Sequence, residues 1–160
     1  MIIKKKEGLT FHNIITATLR NALTGEIVQQ IKQHNVVTDV GIGLILDRLG
    51  GKTGTLYSAI TYGAVGTGTT AADITDTTLE TESARNICTY SRVSKTGTFS
   101  VFFNTGEANV TIAEIGFFGG NATSITDSGI LFNRIKLAST IGKTSDYTLT
   151  IEVDIVGADA

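Results

Sequence analysis

Residues 60–85 read ITYGAVGTGTTAADITDTTLETESAR, and the rest of the chain is interpreted around this stretch. Its first residues predict a strand over 59–65, and a Gly/Thr turn built on Gly66 and Gly68 follows. A looser segment then leads to Glu82 and Arg85, which would lie side by side if the segment turned helically. A strand, a glycine turn and an acid–base pair indicate a rigid building block and carry no catalytic constellation.

The composition of the chain bounds its class. A length of 160 residues predicts one domain, and 18 glycines with no proline and no tryptophan favour β structure with glycine turns. The net charge of −2 gives no electrostatic footprint for nucleic acid. Cys88 is the single cysteine, which excludes an intramolecular disulfide and a thiolate zinc site. No apolar run approaches the roughly 18 residues that a membrane span needs.

Alternation of apolar and polar residues predicts strands along most of the chain. The predicted strands cover residues 9–19, 27–34, 59–65, 87–93, 98–104, 110–118, 130–137 and 148–155. About eight short strands with turn signals between them predict an all-β, antiparallel sandwich or barrel. One short helix is predicted over 40–49, capped by Thr38 or Asp39 and ended by Gly50-Gly51. Its expected buried stripe consists of Val40, Leu44, Ile45 and Leu49.

Two segments near the N-terminus, residues 1–8 and strand 27–34, are expected to contact other subunits. Residues 1–8 are predicted to be a mobile basic arm outside the single β domain of residues 9–160. The arm carries Lys4, Lys5 and Lys6, which we expect to reach a neighbouring subunit or an acidic surface of the assembly. An apolar run before the lysines is the wrong order for a signal peptide. Strand 27–34 is the most polar, so it is the candidate edge strand, with Gln30 as a subunit contact.

Three glycine-containing pieces invite a phosphate-loop interpretation, and none fits it. After Gly66-Thr67-Gly68 the third glycine position is Ala71, and acidic residues follow. The Gly51-Lys52-Thr53 and Gly142-Lys143-Thr144 triplets lack the first glycine of a P-loop. No nucleotide or other cofactor is expected.

Two sets of side chains invite a metal-site interpretation. His12 and His34 face each other across the predicted hairpin, but two ligands without a third are too few. The second set consists of Asp73, Asp76, Glu80 and Glu82. Its spacing does not match a calcium-binding EF-hand loop, so a solvated acidic loop is expected and no metal site is predicted.

Glu114 draws attention because strand parity places it with Ile112 and Phe118 on an apolar face. A carboxylate there is costly unless it is paired. Arg134 shares parity with Phe132 and raises the same problem. One interpretation is an acid/base site, but no nucleophile converges on it by any spacing. We therefore predict structural ion pairs, with Glu114 paired to Arg85 or Arg134. The predicted set is Glu82, Arg85, Glu114 and Arg134.

Five short motifs occur in one order between about residues 35 and 155. They are Asn35-Val36-Val37-Thr38, AVGTGTT at residues 64–70, Leu79-x-x-Glu82-x-x-Arg85, Glu114-Ile115-Gly116-Phe117-Phe118 and Leu131-Phe132-Asn133-Arg134. In this order they resemble the virion structural proteins of tailed bacteriophages. Similar patterns occur in small capsid decoration (cement) proteins and in the N-terminal domains of tail-collar fibres.

The resemblance implies a structural role without catalysis. It implies a virion protein, assembled in the host cytoplasm, that decorates or cements the capsid as a homo-oligomer, with a trimer expected. A tail, collar or baseplate component is the alternative, although the chain stops near Ala160 without a fibre shaft. A carbohydrate-binding module for host adhesion is the other alternative. Its exposed aromatic side chains would have to come from Tyr57, Tyr62, Tyr90 and Tyr147.

Overall fold

Two five-stranded antiparallel sheets pack face to face in the computed structural model, which describes residues 9–159. The strands are β1 (Leu9–Asn21), β2 (Ile27–His34), β3 (Val36–Val37), β4 (Tyr62–Gly66), β5 (Glu82–Ile87), β6 (Thr89–Val93), β7 (Thr96–Phe103), β8 (Thr111–Gly119), β9 (Ile130–Gly142) and β10 (Tyr147–Asp159). Sheet A has the order β2-β1-β10-β7-β6, and sheet B has the order β3-β9-β8-β4-β5. The predicted all-β sandwich is confirmed, with ten strands in place of about eight.

The core lies between the two sheets because alternate residues of each long strand point inward. In β10, Leu149, Ile151 and Val153 are fully buried, as their alternation with polar residues predicted. Ile151 lies between Ala17 of β1 and Val101 of β7 in the ladder of sheet A. Burying a side chain of this size contributes about 1.5–3 kcal/mol, so the central strands anchor the fold.

The segment expected to be loose as far as Arg85 ends in a strand. Residues Glu82–Ile87 form β5, the edge strand of sheet B, and pair with β4. The sequence ESARNI has one isoleucine and no clean alternation, so its pairing depends on the neighbouring strand rather than on its own pattern.

Helix α1 (Asp39–Leu49) begins where its cap was predicted. Thr38 is the N-cap, and its hydroxyl accepts a hydrogen bond from the Gly41 N–H at 3.0 Å. The predicted stripe is wrong for its two ends, since Val40 is 39% exposed and Leu49 is 77% exposed. Gly41 and Leu44 are the buried residues, because a glycine lets the helix lie directly against the β9 backbone at Phe132.

Strand β2 lies at the edge of sheet A, as predicted, and its glutamines reach across to sheet B. Gln29 Nε2 donates to the Thr140 carbonyl at 3.1 Å. Gln33 donates to the Lys136 carbonyl at 3.1 Å and accepts from the Ala138 N–H at 3.0 Å. Gln30 faces the other way and donates to the Thr18 hydroxyl. Its role as a subunit contact stays a prediction, and Lys4, Lys5 and Lys6 lie outside the described residues.

Candidate functional site

A fully buried ion pair joins Glu114 of β8 to Arg134 of β9. Arg134 Nε lies 2.9 Å from a carboxylate oxygen of Glu114, and both side chains are at most 3% exposed. The same carboxylate accepts backbone N–H hydrogen bonds from Gly68, Glu80 and Thr81 at 2.7–3.0 Å. Four donors therefore satisfy one buried charge, which is what a buried carboxylate requires.

The ion pair lies on the outer face of sheet B, whereas parity had placed Glu114 with Ile112 on the apolar face. A register shift between Ile112 and Glu114 reverses that parity. Ile112 and Ile115 therefore both face the core between the sheets, and Glu114 faces segment 67–81, which covers the outer face. A second register shift, opposite Phe132, likewise separates Arg134 from the parity that the sequence predicted.

Arg134 holds segment 67–81 by its remaining nitrogen atoms. Nη1 lies 2.8 Å from an Asp76 carboxylate oxygen, and Nη2 donates to the Thr70 carbonyl at 3.2 Å. Burial by itself lowers the pKa of Arg134, and its hydrogen bonds to Asp76 and Glu114 outweigh burial and raise that pKa. Glu80 lies nearby, and hydrogen bonds from the Thr70 hydroxyl and backbone N–H lower the pKa of its carboxyl.

Arg85 pairs with Glu82 rather than with Glu114. Its Nε and Nη2 lie 2.5 and 2.6 Å from the two carboxylate oxygens of Glu82, a bidentate pair. The two residues lie side by side in β5 rather than in a helical turn, because a register shift opposite Val65 and Gly66 brings them together. The guanidinium also lies 4.4 Å from the centre of the Phe118 ring.

The two ion pairs fasten two connecting segments to sheet B. Arg134 and Glu114 hold segment 67–81, and Arg85 holds loop 120–129 by donating to the Thr123 and Ser128 carbonyls at 3.0 and 2.9 Å. Gly66 and Gly68 fit this role, because a Cβ at either position would overlap the Glu114 carboxylate. Glycine at these two positions allows the Glu114 carboxylate to come close to the backbone. It is not required by the backbone conformation, since neither residue has a positive φ.

The acidic side chains that suggested calcium each have protein partners. Asp76 and Glu82 pair with arginines, Glu80 accepts from Thr70, and Asp73 accepts from Thr75. In the part of the chain that the structure describes, no group of three or more His, Cys, Asp or Glu side chains is arranged to hold a metal ion. His12 and His34 are both exposed.

An apolar groove that the sequence reasoning missed runs between α1 and the inner face of sheet A. We call it the α1 groove; its lining includes Phe11, Asn13, Ile42, Leu46, Leu49 and Ile155. It encloses about 390 Å³, and an adjoining cavity of about 290 Å³ shares Phe11, Leu49 and Ile155 with it. The available signal was the VGIGLIL run of α1, which is apolar on every face.

The α1 groove combines exposed apolar side chains with one buried polar atom. Phe11, Ile42, Leu46 and Leu49 are 45%, 46%, 61% and 77% exposed. Asn13 is 7% exposed, and its Oδ1 atom has no hydrogen-bond partner in the described structure. The exposed side chains make the groove suited to an apolar partner surface, whereas the Asn13 Oδ1 atom is too buried to be reached from outside.

Cys88 should react slowly with thiol reagents in the folded protein. Burial raises the pKa of its thiol to about 11, which leaves little thiolate at neutral pH. At pH 8 we expect its reaction with a disulfide reagent to be at least about 100-fold slower than in urea. A Cys88→Ser/Val93→Cys variant is the control, because Val93 is 77% exposed. Equal rates for both folded proteins would contradict the prediction.

Comparison with protein-family models, with curated proteins and with solved structures finds no match for this chain. No helix in residues 9–159 is both long and apolar enough to cross a membrane.

Proposed function

We propose that this chain is a non-enzymatic virion structural protein of a tailed bacteriophage, which decorates or cements the capsid as a homo-oligomer. The proposal begins from the resemblance carried by the five ordered motifs. Within the virion, a tail, collar or baseplate position is the alternative.

The observation that carries the proposal is that the charged residues of the motifs make structural contacts within the protein. Glu82, Arg85, Glu114 and Arg134 are turned toward protein partners and fasten the connecting segments onto sheet B. Charges used in this way strengthen a scaffold, and they are poorly placed to meet a substrate. A rigid sandwich with an exposed apolar groove is suited to assembly with other protein surfaces.

The resemblance motifs also meet in space. The Asn35–Thr38 motif leads from β3 into α1, and Thr38 donates to the Leu131 carbonyl of the fifth motif at 2.5 Å. Leu79 of the third motif packs with Phe118 and Leu131 under segment 67–81. Packing and hydrogen bonding between the motifs are expected in a protein with a structural role.

The test is to find the chain in intact particles. Particles of the virus that encodes it would be purified through a density gradient, digested and quantified by mass spectrometry. An abundant host cytoplasmic protein in the same preparation serves as the contamination control. We expect a fixed, stoichiometric copy number and density for a ten-stranded sandwich on the capsid surface. Density at the tail would favour the alternative, and a level no higher than that of the host control would refute both.

A further inference from the structure

We infer that the α1 groove is the surface on which a second copy of this chain docks. The inference rests on the proposed function in one respect, the homo-oligomer, and it names the surface that forms it. The sequence had pointed instead to the edge strand β2, with Gln30 as the subunit contact.

Helix α1 is apolar on two opposite sides. One side carries the buried residues Gly41 and Leu44, of which Gly41 lies against Phe132 of β9 and Leu44 against Gly119 of β8. The other side carries Ile42, Leu46 and Leu49, spaced four and three residues apart, and all three are at least 46% exposed. The run VGIGLIL at residues 40–46 is apolar on every face, and an apolar face of a helix is normally buried, so the outer side of α1 is expected to be covered in the assembled state.

The size of the exposed surface matches one side of a protein interface. With on the order of 200 Å² for each fully exposed large apolar side chain, Phe11, Ile42, Leu46 and Leu49 leave roughly 450 Å² of apolar area in water. A standard interface buries about 800 Å² on each partner, and somewhat more than half of that is apolar. The α1 groove therefore supplies the apolar share of a standard interface.

A second copy is the occupant that these features favour. Exposed leucine side chains are unfavourable in water whenever the chain is folded, so the surface that covers them has to be available at the same time. Another copy of the chain is present at equal concentration from synthesis onward. Symmetric homo-oligomers are also the commonest assemblies of soluble proteins.

The test compares two double variants with the wild-type protein by light scattering and sedimentation velocity. Leu46→Glu/Leu49→Glu places two charges in the α1 groove. Leu23→Glu/Ile125→Glu is the matched control, because Leu23 and Ile125 are 97% and 70% exposed and line neither cavity of the groove. At about 50 µM, well above micromolar dissociation constants, we expect multimers for the wild type and the control and single chains for the groove variant.

The outcomes separate this inference from the proposed function. A groove variant that stays multimeric would place the contact elsewhere and overturn the inference, while particle binding would still support the function. A monomeric wild-type protein would also overturn the inference, and the particle experiment would decide the function independently. Melting curves check that each variant folds. If the double variant does not fold, Leu49→Ser, which changes the most exposed groove residue alone, is judged by the same criteria.

Discussion

Replacing Glu114 with alanine should lower the free energy of unfolding by about 3–5 kcal/mol. The substitution leaves the buried Arg134 guanidinium beside a cavity and removes its Nε partner, with Asp76 and Glu80 as the remaining carboxylates at 2.8 and 3.7 Å. It also removes the acceptor for the N–H groups of Gly68, Glu80 and Thr81, which hold segment 67–81. The predicted loss includes the cost of these donors, which is about 1–3 kcal/mol for a buried N–H without a partner and less for the part-buried Glu80 and Thr81 groups, which water can reach.

Urea unfolding followed by circular dichroism measures this loss. Glu152→Ala is the matched control, since Glu152 is an exposed glutamate within strand β10, and its removal should change stability by less than about 0.5 kcal/mol. Equal, small losses for Glu114→Ala and Glu152→Ala would show that the buried pair does not stabilise the fold.

Two glycines of α1 should respond in opposite directions to the same substitution. Gly41→Ala should destabilise the protein by about 2 kcal/mol, because the new methyl group would overlap the Phe132 backbone and push the helix away from β9. Gly43→Ala should stabilise it by up to about 1 kcal/mol, because its Cβ meets nothing within 4 Å and alanine favours the helix.

Thermal melts of both variants beside the wild type provide the measurement. The pair controls for helix propensity, since the substitution and the helix are the same and only the contact with β9 differs. A Gly41→Ala protein as stable as Gly43→Ala would mean that α1 is not seated against Phe132. That outcome would also remove one wall of the α1 groove, whose position depends on this contact.

The strands were predictable where one face of the sheet is buried and the other is exposed to solvent. Strand β10 shows this best, because Leu149, Ile151 and Val153 alternate with polar residues and each falls in the core. The cap of α1 was also predictable, since the Thr38 hydroxyl acts locally, on Gly41 three residues away. These features depend on neighbours in the sequence.

The rest depends on contacts distant in the sequence. The extra residue in β8 before Glu114 reverses the parity of the strand, and no local signal marks it. The partner of Glu114 was predicted as one of two arginines, Arg85 or Arg134, because the register of β8 and β9 decides it. The α1 groove was not predicted, because helical periodicity shows which residues share a face but does not show which face is buried. The close approach of Gly41 to Phe132 decides which face of α1 meets β9.

Gln29 and Gln33 of β2 have a consequence for aggregation. Between Lys136 and Ile141 strand β9 leaves its register with β8, and β3 pairs with β9 only at Asn133 and Arg134. Exposed backbone of this kind is a template on which another chain adds a strand, and proteins often block it with proline. This chain has no proline. The amide groups of Gln29 and Gln33 occupy the backbone of residues 136–140 instead, so side chains that mimic a peptide group close this edge to unwanted strand addition.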